Sequence, residues 1–149
     1  MRSSHLEGVL MVARGIRNMN PGNIRCSAEN WEGLAKEQKD GTFFQFVAPE
    51  WGIRAMYKIL CTYNLKYHCK TVGQMISRWA PPNENDTLNY IKFVCNICKC
   101  QPEHEVNVND TTFMCNMIRA MTRMENGSCP YTDQTIKKGI SLKNAKYTG

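Results

Sequence analysis

From Pro49 to Ile140 the chain repeats one arrangement: apolar residues three and four positions apart, in segments mostly opened by a short polar residue and closed by Gly or Pro. That spacing places the apolar side chains on one face of an α-helix, and such faces are buried by packing helix on helix. Ile53, Met56, Tyr57 and Leu60 form the first stripe, behind Pro49, a residue suited to a first helical turn. Thr71 and Gln74 have capping-box spacing ahead of Met75, Ile76 and Trp79, and Ala80-Pro81-Pro82 ends that helix. Asn85, Asp86 or Thr87 can cap a third helix with Leu88, Ile91, Val94, Cys95 and Cys98 inward. Asn109 or Asp110 opens a fourth, with Phe113, Met117, Ala120, Met121 and Met124 inward and Asn126-Gly127 as its stop. Thr132 or Asp133 begins the last, which carries Ile136 and Ile140.

Before Pro49 the pattern changes. Asn20-Pro21-Gly22-Asn23, Trp31-Glu32-Gly33 and Asp40-Gly41 punctuate short segments. Pro fixes φ and Gly admits positive φ, so these are turn signals. Asp40-Gly41 followed by Thr42 to Val47 reads as a turn and a strand, and predicts a small antiparallel sheet. The fold class expected is therefore α+β and mainly α: a small N-terminal antiparallel sheet and about five helices. Residues 1–10 read as a tag or a disordered N-terminus, with no signal-peptide pattern, and residues 11–149 as a single domain. No apolar run reaches the length of a membrane span.

Nineteen basic residues against 13 acidic leave a formal charge of +6, which favours anionic partners such as cell wall, anionic lipid or nucleic acid. No basic recognition helix marks a specific nucleic-acid reader, so that reading ranks last. Of the eight cysteines, Cys95, Cys98 and Cys100 with His104 raise the question of zinc. No second Cys-x-x-Cys pair completes such a site, and the chain gives no reason to expect a metal or any other cofactor. Phosphate-loop, zinc-helix and nucleophile-elbow motifs are absent.

Carboxylates are the promising chemistry. Glycan cleavage needs a carboxylic acid that can hand its proton to a glycosidic oxygen. Glu125 falls at the C-terminal end of a helix, on the flank of its apolar stripe. Glu50 is the rival, at a helix start beside Trp51, where the dipole favours the ionised form. Asp86 is a possible second acid, and Glu32 reads as a turn residue. Asn18, Asn20 and Asn23 form one polar cluster, and Asn83, Asn85 and Asp86 another; short amides suit sugar hydroxyl and N-acetyl groups, and equally suit turns and caps. Trp31 and Trp79, like Trp51, can stack on sugar rings or pack a core rim.

The segment Arg14-Gly15-Ile16-Arg17-Asn18-Met19-Asn20-Pro21-Gly22-Asn23-Ile24-Arg25 resembles the RGIRNNNPGNIR-type hallmark of a family of phage structural or virion proteins. The likeness continues through Trp31 to Leu34, Phe43 to Phe46, Gly52 to Ala55, Arg78 to Pro82, Tyr90-Ile91, Glu125 to Gly127 and Pro130-Tyr131. Relatives of this kind also occur as muramidase domains of type VI secretion effectors. The resemblance implies a lysozyme-like fold, peptidoglycan glycan strands as substrate, and virion association or delivery to the periplasm and cell wall. Glu50 and Glu125 stand in its recurring motifs. The alternative it leaves open is a non-catalytic virion or wall-binding protein.

Overall fold

A computed structural model describes residues 12–83 and 85–149; the expected tag or disordered stretch, 1–10, lies outside the described residues. Six helices are seen among those residues: α1 (Arg14–Arg17), α2 (Pro49–Leu65), α3 (Val72–Trp79), α4 (Thr87–Cys98), α5 (Thr111–Asn126) and α6 (Asp133–Ser141). The five expected helices are α2 to α6, and α1 is an added single turn. Their starts follow local chemistry. Thr71 and Gln74 form a reciprocal capping box on α3. The side chains of Asp86, Asp110 and Thr132 accept from the backbone N–H groups of Asn89, Phe113 and Thr135.

The main core gathers Ile53, Met56 and Leu60 of α2, Met75 and Ile76 of α3, Val94 of α4, and Met114, Met117, Ile118 and Met121 of α5 around Ile136 of α6. α2 packs against α6, and α4 against α5. One stripe differs from expectation. Leu88 is 81% exposed, and the buried face of α4 runs through Thr87, Tyr90, Ile91, Val94 and Cys95. Those five positions keep the i, i+3, i+4, i+7, i+8 spacing, which Leu88 breaks. The buried Arg54 of α2 donates to the carbonyls of Leu142, Lys143 and Ala145, setting a cation at the C-terminal end of α6.

The expected N-terminal sheet is absent: among the described residues only isolated bridges occur, Arg25 with Phe43, Leu34 with Phe46, and Thr71 with Glu105. The α+β, lysozyme-like description is corrected to an all-helical fold. A ladder needs one partner strand that continues, whereas the segment Thr42 to Val47 changes partner along its length. Thr42 and Phe44 pair with Cys26 and Ile24, and Gln45 and Val47 pair with Ala35 and Gly33. The Phe46 N–H goes to the carbonyl of Asn18, and the Asn20 amide takes the carbonyl of Phe44. Asp40 does form the expected turn, its carboxylate accepting from the N–H groups of Thr42 and Phe43. Phe44, Phe46 and Ala55 make a second, smaller buried cluster beneath these loops.

Candidate functional site

Glu125 is the penultimate residue of α5 and is half-buried. Three donors from three distant segments converge on its carboxylate. Tyr90 of α4 donates from its hydroxyl to Oε2 at 2.9 Å. The indole N–H of Trp79, the last residue of α3, donates to the same oxygen at 3.2 Å. Asn23 donates from Nδ2 to Oε1 at 3.4 Å and to the Glu125 carbonyl at 3.3 Å. Burial, and then the neighbouring Glu125 charge, push the Tyr90 hydroxyl far above the usual phenol range, which keeps it a neutral donor.

The turn that delivers Asn23 is built by its neighbours. Asn23 sits in the left-handed region, φ 48°, which Asn tolerates better than other non-glycine residues. Its N–H returns to the carbonyl of Asn20. Asn20 is fully buried, and its side chain accepts from the Ile24 N–H while donating to the carbonyls of Ile24 and Phe44. Gly22 is required between them. A Cβ there would stand 2.7 Å from Met56 Cγ and 3.0 Å from the Trp79 ring.

Gly22, Asn23, Trp79 and Glu125 line a groove of about 430 Å³. Tyr63 and Ile59 of α2 also line it, together with Arg25, Arg78 and Asn85. A neighbouring hollow of about 300 Å³, lined by Trp31 and Glu29, shares Ile24, Ile59 and Tyr63 with it. A larger hollow of about 750 Å³ on α4, around Lys92, Asn96 and Lys99, has no carboxylate on its walls. Size alone does not make it a site for acid–base chemistry.

The residues singled out in the sequence separate into groups. Glu125, Asn23, Trp79 and Asn85 meet at the groove, and Trp31 lines the neighbouring hollow. Asn18 is buried behind it, donating to Asp40 and accepting from Gln45. Asn20 supports the turn. Asn83 is exposed and lies off the groove wall. Asp86 spends its carboxylate on the cap of α4. Glu50 lies in the first turn of α2, where its carbonyl faces Gly139 of α6, outside the groove wall. Glu32 accepts from the Tyr147 N–H.

Tyr90, Arg25 and Arg78 went unrecognised as site residues. A polar-tipped aromatic on the buried face of α4 was the available signal for Tyr90. Among the described residues no group of three or more His, Cys, Asp or Glu side chains could hold a metal, and all eight cysteines are free thiols. No helix among them is long and apolar enough to cross a membrane.

Helices, groove and carboxylate define a small helical protein that presents one tightly liganded acid at the wall of an open cleft. Over 131 residues the chain is 47% identical to Protein P5 of Pseudoalteromonas phage PM2, a match covering 86% of this chain and 80% of that protein. The chain belongs to that phage protein family. No family model matches it.

Proposed function

We propose that this phage-family protein binds peptidoglycan glycan strands in the Glu125 groove and cleaves them. The observation that carries the reading is the convergence of Tyr90, Trp79 and Asn23 on one carboxylate beside an open, aromatic-lined cleft. Glu125 would give its proton to the glycosidic oxygen, and water would attack the anomeric carbon. As the proton leaves, negative charge grows on a group already faced by three N–H or O–H donors. Preorganised donors of that kind lower a barrier because they need no reorganisation when the charge appears. Trp79 and Tyr63 supply faces for sugar rings, and Asn23 and Asn85 supply amides for hydroxyl and N-acetyl groups.

A second reading is favoured by one observation: Glu125 is the only acid on the walls of its groove among the described residues, with Asp86 turned to its cap. A non-catalytic phage virion protein that grips the wall needs no second carboxylate. Digestion of Gram-negative sacculi between pH 5 and pH 8, followed by mass spectrometry of the products, separates the two. Muropeptides released by the wild type and lost in Glu125→Gln support cleavage. Retention on sacculi with no product supports the binding protein, and neither release nor retention defeats both.

A further inference from the structure

Two arginines flank Glu125 on the groove wall, and Arg25, Arg78 and Glu125 are the charged residues that line it. Among the described residues neither guanidinium forms an ion pair with a carboxylate. Each is instead set against an aromatic ring. Arg78 Cζ lies 3.9 Å from the ring centroid of Tyr67 and 5.4 Å from that of Tyr63. Arg25 Cζ lies 5.4 Å from the centroid of Phe43, itself on the groove wall. A guanidinium engaged through its face keeps its in-plane N–H groups free, and those groups match a carboxylate in bidentate fashion. Stacking also limits the rotamers that such a long side chain would lose on binding.

From this pairing we infer that the groove is specific for an acidic glycan, one whose sugars carry a carboxylate, and that Arg25 and Arg78 read that carboxylate. The inference rests on the glycan reading of the groove and deepens it. A neutral polymer of N-acetylhexosamine offers the same rings and amides to Trp79, Tyr63 and Asn23, but leaves both guanidiniums without a counter-charge. A lactyl-ether sugar whose carboxyl carries no stem peptide, as alternates along glycan strands stripped of their peptides, offers one carboxylate per disaccharide.

The test is a calorimetric titration of Glu125→Gln, whose reduced turnover spares the probes during the measurement, with three probes. One is a tetrasaccharide of alternating N-acetylglucosamine and N-acetylmuramic acid. The second is the same molecule with its lactyl carboxylates converted to amides, and the third is neutral chitotetraose. The acidic tetrasaccharide should bind at least about tenfold more tightly than either neutral one. Adding Arg25→Gln or Arg78→Gln should remove most of that preference, narrowing the ratio between the acidic tetrasaccharide and chitotetraose. Arg78→Lys, which keeps charge but loses the fork, should restore only part of it. Equal affinity for all three probes overturns the inference and leaves the glycan reading standing. Binding of none of them overturns both. Tighter binding of a single-stranded oligonucleotide, weakened by the same Arg substitutions, overturns the inference in favour of a phosphate polymer.

Discussion

The side-chain amide of Asn126, the last residue of α5, donates to the carbonyl of Pro21 at 2.8 Å and to that of Thr122 at 3.0 Å. The first bond ties the end of α5 to the Pro21-Gly22 turn, and so holds Asn23 beside Glu125. Helix and loop are 105 residues apart in the chain at this contact. Asn126→Ala should therefore cost about 1–2 kcal/mol of stability, readable as a lower urea midpoint at constant m-value. Glycan affinity should fall with it, because the turn that carries Asn23 loses its anchor. An unchanged midpoint would show that the turn stands without this bond.

Glu125→Gln keeps the shape of the side chain but removes the transferable proton. Release of muropeptides should drop by about 10²–10⁴-fold, with the melting temperature close to wild type. Glu50→Gln, which lies off the groove, should leave release unchanged. The reverse pattern in the product assay would reassign the acid.

Tyr90→Phe deletes the strongest donor to Glu125 Oε2 and adds no bulk. Turnover should fall by about tenfold while the ring packing of α4 is retained. The Tyr90 hydroxyl lies far above the usual phenol range, so its ionisation contributes no alkaline limb to the pH profile below pH 9. A rate loss in the wild type that Tyr90→Phe abolishes in that range would contradict this assignment.

The Arg14 guanidinium makes two hydrogen bonds to the Asp40 carboxylate, and Asn18 adds a third. Together they hold the Asp40 carboxyl well below its ordinary value of 3.8. A carboxyl lowered in the folded state stabilises the fold above the unfolded value, and that contribution is lost as pH falls toward the folded one. The melting-temperature gap between wild type and Asp40→Asn should be largest near pH 7 and shrink steadily below pH 4. A gap that does not change with pH would sink the argument.

Burial, followed by the neighbouring thiols, pushes Cys98 up to about 12; burial and Cys100 push Cys95 up to about 11. Thiols at those values hold almost no thiolate near neutrality, and the thiolate is the reactive form. Iodoacetamide at pH 8, followed by peptide mass mapping, should label exposed Cys26 first and Cys95 and Cys98 slowest. Fast labelling of Cys98 would show that this helix end opens in solution.

What could be read along the chain was whatever neighbouring residues settle among themselves. Thr71 and Gln74 close a box over three residues, Asp110 reaches the Phe113 N–H, and Gly127 takes φ 81° to end α5. Each is a contact within one helical turn, so side-chain chemistry and spacing are enough to place it. The register of α4 was less legible, because Leu88 and Tyr90 are both apolar enough to face inward until α5 occupies one side. The sheet was misread for a related reason. Thr42 to Val47 has strand-like residues, but whether a ladder grows depends on partners 10 to 28 positions away, and Asn18 and Asn20 captured Phe46 and Phe44 instead. Glu125 shows the same division. Its place at a helix end is local, whereas Tyr90, Trp79 and Asn23 reach it from 35, 46 and 102 residues away. Contacts at those separations follow from how the helices pack, and packing is a property of the whole buried core rather than of any one segment.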